Sequence, residues 1–242
     1  MSGDDSGGRA EMHHRHRDVN GGWLRPSVFG AMDGLVSNFA LIAGVAGGTG
    51  STGGTTVIVL AGVAGLAAGA FSMAGGEYVS VASQRELALA EIDVERRELE
   101  RHPEAEQQEL AKLYEDRGVE PAVAAEVARQ ISMDPDRALE VHTQAELGVT
   151  AQDLPSPRIA AISSFLSFGV GALLPLLPYL LGVTSLVTSA VISCLALFGA
   201  GALVSRVTAR SWWYSGLRQL LVGAVAAALT FGLGTLLGGG GL

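Results

Sequence analysis

The sequence predicts an all-α, polytopic membrane protein, with five transmembrane helices and a helical domain inserted between the second and the third. Three observations carry this reading. Five apolar blocks, Val28–Gly48, Val57–Val81, Ile159–Leu181, Leu186–Val204 and Leu217–Leu237, stand out of a chain of 242 residues. Each is near the ~20 residues that a helix needs to cross ~30 Å of hydrocarbon, and each is continuously apolar rather than alternating over ~10 residues as a barrel strand would. The 16 basic residues also fall on one side only. They precede the first span, lie between the second and third, or lie between the fourth and fifth. None occurs in Thr49–Thr56, Gly182–Ser185 or the Gly-rich C-terminal end.

By the positive-inside rule, that asymmetry puts the N-terminus and the insert in the cytoplasm and the C-terminus outside. All the basic residues except Lys112 are arginine. This bias fits a bacterial, GC-rich genome, and so a multi-pass protein of the inner cell membrane.

Residues 1–24 are polar and include His13-His14-Arg15-His16. They read as a disordered cytoplasmic tail, without the apolar core of a signal peptide. Residues 25–84 hold spans one and two, 85–157 the acidic insert, and 158–242 spans three to five.

The first two spans carry the chemistry. Asp33 and Glu77 are the only carboxylates inside the apolar blocks. A charged side chain at mid-membrane costs at least ~2.5 kcal/mol, so it ordinarily faces a cavity and handles an ion or a proton. Met73 lies one helical turn before Glu77, on the same face. A thioether beside a carboxylate makes a mixed soft and hard site suited to a first-row divalent metal. Asp33, with Asn38 about one turn later, adds oxygen atoms from span one. The alternative for Asp33 and Glu77 is an interhelical hydrogen bond from a protonated acid.

Small residues recur at spacings of three and four in span two (Gly62, Gly65, Gly69), and span five carries a similar row (Gly223, Ala227, Gly232, Gly234). Such rows let helix backbones approach closely, either as packing within one subunit or, for span two, as a contact beside an ion path. Pro175 and Pro178 each remove a backbone donor, which predicts a kink or an irregular end to span three.

The insert reads as four helices. Arg85–Arg101 continues span two, Pro103 opens a second helix, Pro121–Ser132 forms a third, and a fourth runs from Pro135 to Gly148. Glu95 and Glu98 share one face, Glu106 and Glu109 another, and His142 and Glu146 a third. Folded together they gather five carboxylates and an imidazole. Like charges at that density call for a cation among them. Carboxylates suit Mn²⁺ or Mg²⁺, whereas imidazole tilts toward Fe, Zn or Co. The competing reading is a solvated face with Arg96, Arg97 and Arg101 as partners.

Other classes are excluded. A single cysteine, Cys194, permits neither an intramolecular disulfide framework nor a zinc-type cluster. The net charge of −8 is concentrated in the insert and argues against nucleic acid. No nucleophile–base pair and no phosphate-cradling glycine loop is present, so the chain reads as a non-enzyme.

The stretch from Ser72 to Gln84, SMAGGEYVSVASQ, closely resembles the second-span signature of the vacuolar iron transporter family. MDGLVSNFAL, from Met32 to Leu41, resembles that of the first span. Pro175-Leu176-Leu177-Pro178-Tyr179 and Arg218 through Gly234 also look like their counterparts, and the similarity covers roughly residues 25–238. The resemblance implies a homodimer of five-span subunits that moves Fe²⁺, and often Mn²⁺, Co²⁺ or Zn²⁺, out of the cytosol in exchange for protons. The metal is substrate, and no prosthetic group is implied. Resemblance also implies an ion path through Asp33, Met73 and Glu77 at the dimer interface, fed by a metal-binding domain with Glu95, Glu98, Glu106, Glu109 and Glu146. Two departures from the family pattern stand out. His142 and Thr143 stand where methionines are expected, pointing to imidazole as a ligand, and Gly65 stands where some members have glutamate. The alternative to transport is a membrane-anchored metal sensor.

Overall fold

A computed structural model describes residues 22–50, 54–208 and 210–239. The histidine-rich tail therefore lies outside the described residues. Eight helices follow one another: α1 (Leu24–Thr49), α2 (Thr55–Arg101), α3 (Pro103–Asp116), α4 (Pro121–Ile131), α5 (Pro135–Glu146), α6 (Pro157–Leu180), α7 (Leu186–Thr208) and α8 (Trp212–Gly239). Helices α1, α2, α6, α7 and α8 are long and apolar enough to cross a membrane, and they coincide with the five apolar blocks.

Local chemistry sets the helix boundaries. Helices α3, α4, α5 and α6 each open on proline, whose missing N–H is free of cost in a first turn. The Asp134 side chain accepts from the N–H groups of Asp136 and Arg137 and caps α5. Both α3 and α6 close with a paired turn around a left-handed glycine, Gly118 (φ 93°) and Gly182 (φ 85°). In α6 the Val183 N–H reaches the Pro178 carbonyl at 2.9 Å and the Gly182 N–H reaches Tyr179 at 3.1 Å. Helix α6 stays one helix through Pro175 and Pro178 and ends in this regular glycine turn, so the irregular end expected from the prolines is not what the structure has.

Helix α1 lies at the centre of the bundle, packed on α2, α6, α7 and α8. Glycine makes the close crossings. A Cβ at Gly34 would collide with the Phe168 carbonyl of α6, and one at Gly171 with the Ala31 carbonyl of α1. Toward the other end, Gly44, Gly47 and Gly48 of α1 meet Thr230, Phe231, Gly234 and Gly238 of α8, where Thr230 Oγ1 donates to the Ala40 carbonyl at 2.6 Å. The glycine row of α2 divides between roles. Gly62 and Gly69 receive Leu176 and Phe168 of α6, whereas Gly75 and Gly76 have open space beside them. In α8, Gly223 and Gly234 are packed and Gly232 is open.

Helix α2 continues without a break from the bundle to Arg101 and carries the insert on this extension. Helices α3 and α5 pack on it, and α4 packs on α3 and α5. The core of the insert is small: Ile92, Leu110, Ala124, Ala128 and Ala138 are buried. The Arg85 guanidinium donates to the Leu154 carbonyl at 3.3 Å, tying the extension to the segment that leads into α6.

Candidate metal path and metal cluster

Two polar constellations lie along α2, one inside the bundle and one on the extension. The first is a cavity of about 460 Å³ between α1 and α2. Asp33, Met73 and Glu77 all line it, so the three residues expected to form a path do share one volume. Arg25 and Gln84 stand at the end nearest the insert, and Leu41 and Gly65 at the opposite end. Glu77 is half-buried and Asp33 exposed, so the cavity is a trough on the flank of a single subunit.

The trough wall follows from helix periodicity. On α2 its residues are Gly65, Gly69, Ser72, Met73, Gly76, Glu77, Ser80, Val81 and Gln84. They fall in two adjacent rows at steps of four, Gly65–Gly69–Met73–Glu77–Val81 and Ser72–Gly76–Ser80–Gln84, which mark one face of a helix. Small or polar residues dominate this row, which leaves room for an ion and its ligands. At the inner end a Cβ on Gly65 would stand 3.1 Å from Asn38 Oδ1. Asn38 is 2% exposed and donates through Nδ2 to the Ala172 carbonyl at 2.6 Å, but its Oδ1 has no hydrogen-bond partner.

The second constellation surrounds His142, also 2% exposed. Its Nδ1 lies 3.1 Å from Glu95 Oε1, 3.5 Å from Glu146 Oε1 and 3.6 Å from Glu106 Oε2. Distance alone would make the first a hydrogen bond, yet Glu95 Oε1 is without a hydrogen-bond partner, as is His142 Nε2. His142 Nδ1 and the three carboxylates facing it at this spacing offer what a metal requires, whereas Nε2 lies on the other side of the ring. Ligands ~2.1 Å from one ion, at right angles, are ~3 Å apart. Glu95, His142 and Glu146 each bring a ligand atom to within 4.8 Å of the others.

Electrostatics agree with the geometry. Burial, and then the nearby carboxylates of Glu146, Glu106, Glu109 and Glu98, push Glu95 up to about 7. Burial also raises Glu106, with Glu109 adding to the effect and His142 opposing it. Carboxylates forced together in this way favour either a proton or a cation.

The six residues expected in the metal-binding domain are not equivalent. Glu95, Glu106, His142 and Glu146 converge. Glu109 and Glu98 are both close enough to raise Glu95 and Glu106, but the Glu98 carboxylate pairs with His102, 2.9 Å from Nδ1, on the exposed side. Thr143, the neighbour of His142, is buried and returns its hydroxyl to the Leu139 carbonyl at 2.8 Å.

Sequence reasoning missed Ser37, Ser72, Ser80 and Gln84 as wall residues. The signal was present in the three–four spacing that joins Ser72, Ser80 and Gln84 to Met73 and Glu77. It was hidden because serine and glutamine are unremarkable near a membrane surface.

The profile of the VIT family matches residues 24–235. A protein named vacuolar iron transporter from Acanthamoeba castellanii is 39% identical over 235 residues, covering 92% of this chain and 82% of the relative. The vacuolar iron transporter of Centaurea cyanus is 32% identical, covering 91% of this chain and 90% of the relative. Vacuolar iron transporter 1 of Arabidopsis thaliana is 31% identical over 90% of this chain and 88% of its own length.

Proposed function

This chain belongs to the VIT family, and from that premise we propose that it exports Fe²⁺ from the cytosol in exchange for protons. It is a multi-pass membrane protein and a metal transporter, not an enzyme. The observation that carries the finer reading is the single trough holding Asp33, Met73 and Glu77. Two carboxylates balance the charge of one divalent ion, and the thioether favours the softer first-row metals over Mg²⁺ and Ca²⁺. A carboxylate that releases its metal can take up a proton from the far side. The same pair of groups thereby serves both directions of an exchange.

Glu95, Glu106, His142 and Glu146, with Glu109 beside them, form the capture site. It raises the local metal concentration at the end of the trough marked by Arg25 and Gln84. The imidazole widens the accepted set toward Co²⁺ and Zn²⁺, while the carboxylates accommodate Mn²⁺. Arginine asymmetry supports an inner-membrane topology with the insert in the cytosol.

An open trough with exposed Asp33 supports a homodimer. A carboxylate facing hydrocarbon is costly, and a second copy seated on the α1–α2 flank would turn two troughs into a closed path. A metal sensor would need the His142 cluster but has no use for a carboxylate-lined trough in the membrane.

The test is metal flux into proteoliposomes with an imposed pH gradient. Fe²⁺ uptake that follows the gradient and collapses with a protonophore is expected. Metal binding without flux at any gradient would replace the transporter with the sensor.

A further inference from the structure

Asn38 holds the least satisfied polar group on the trough wall. Its side chain is almost fully buried, and its Nδ2 is fixed by the bond to the Ala172 carbonyl on α6. Since Nδ2 is anchored, Oδ1 cannot rotate away, and it remains aimed at the Gly65 side of the cavity without a partner. A buried amide oxygen in this state is a cost to the fold unless something passing through uses it. Asn38 lies five residues beyond Asp33 on α1, which is about 7.5 Å deeper along the helix axis.

We infer that Asn38 Oδ1 is a ligand of a second divalent-cation position, deeper than the Asp33–Met73–Glu77 site and built from oxygen alone. The inference rests on reading the trough as an ion path. Ser37, on the same turn, also lines this end of the cavity. The two positions differ in chemistry. The outer one offers sulfur and two carboxylates, and the inner one offers a neutral carbonyl-type oxygen. Conduction requires sites strong enough to accept the ion and weak enough to release it. A fixed neutral dipole after two charged groups meets both conditions. It also favours harder ions, because oxygen ligands suit Mn²⁺ better than a thioether does. Gly65 matters for the same reason: any side chain there would press on the Asn38 oxygen.

The experiment uses the full chain in proteoliposomes, with Mn²⁺ and Co²⁺ flux measured over a range of concentrations at one pH gradient. Asn38→Leu keeps the branched shape and the number of heavy atoms and removes the oxygen. Mn²⁺ flux should fall at least about tenfold, in line with the loss of a metal-supporting polar group. Co²⁺ flux should fall less, because Met73 remains, so the Mn²⁺ to Co²⁺ ratio drops. Asn38→Asp keeps the oxygen and adds charge. It should lower both KM and maximal flux, since the ion is then held too tightly, and it reports independently if the leucine variant does not fold. A folded Asn38→Leu protein with an unchanged ratio, or Asn38→Asp with an unchanged KM, would overturn the inference and leave Asn38 as a packing residue. Asp33→Ala is assayed alongside. If it transports normally, the reading of the trough fails; if it is inactive while the Asn38 variants behave as wild type, only the inner position fails.

Discussion

Glu77 and Glu95 stand on one face of a single unbroken helix, 18 residues apart. At about 3.6 residues per turn and about 1.5 Å per residue, that is about five turns and about 27 Å. The helix therefore sets the capture cluster in fixed register with the trough, and several outcomes depend on this rigid link. Proline at Leu89, an exposed position of the extension, removes an intrahelical bond and kinks the rod. Flux at low metal should fall severalfold while flux at saturating metal is largely kept. An unchanged concentration dependence would mean that the cluster does not feed the path.

Asp33→Ala removes a carboxylate that packs nothing, because its side chain faces the open trough. Transport should be abolished in a protein that still elutes as a folded species. Glu77→Gln preserves shape and removes the proton site, so flux should lose its dependence on the pH gradient. Proteoliposome assays of both variants check these outcomes, and normal gradient dependence in Glu77→Gln would make that residue structural.

The cluster geometry separates glutamates that the sequence treats alike. Glu95→Gln, Glu106→Gln and Glu146→Gln should each weaken metal binding by about tenfold or more. Glu98→Gln, whose partner is the exposed His102, should change it little. Calorimetry on the full-length protein in detergent distinguishes them. Equal losses at all four positions would point to a diffuse charged face instead of a site.

The pH dependence follows from Glu95, which is raised from 4.5 to about 7. Without metal, its folded-state proton is bound between these values while the unfolded chain has released it. Its contribution to stability is thus fully present below about pH 4.5 and lost as pH rises through about 7. Metal requires the ionised form, so affinity should climb with pH up to about 7 and then level off, with protons released on binding. Thermal shifts measured with and without Co²⁺ from pH 5 to pH 8 should therefore diverge, the metal-free protein losing stability while the metal-induced gain grows. A metal-induced gain that is flat across this range would count against Glu95 as a ligand.

Gly171→Leu tests the α1–α6 crossing. The new side chain would meet the Ala31 backbone, which has no flexible end to yield. Yield of folded protein should drop sharply, whereas the same change at Gly169, which has nothing within 4 Å, should be tolerated. Size-exclusion profiles of the two variants make the comparison.

The spans, the continuation of α2 and the three insert helices that open on proline were legible because each depends on local chemistry, an apolar run or a ring at a first turn. The convergence of Asp33, Met73 and Glu77 was legible too, since isolated carboxylates in apolar blocks have few other uses. What escaped was the fate of single side chains. Glu98 shares a face with Glu95, yet a histidine four residues on claims it. The sequence offers Asn38 as a source of oxygen ligands beside Asp33, but does not show that its nitrogen is anchored and its oxygen unpartnered. The fate of Glu98 is a local competition along one helix, and that of Asn38 is decided by a neighbour far away in sequence, Ala172.

The glycine faces of α1 also bear on how the chain is made. Helix α1 leaves the ribosome first, but its closest partners, α6 and α8, are synthesised after the whole insert. Helix α1 must wait in the bilayer with bare backbone grooves until α8 arrives, and these crossings can close only once α8 has been made. A chain truncated before Trp212 would leave Gly44, Gly47 and Gly48 without the helix they fit. A late stop codon should be as damaging to assembly as an early one.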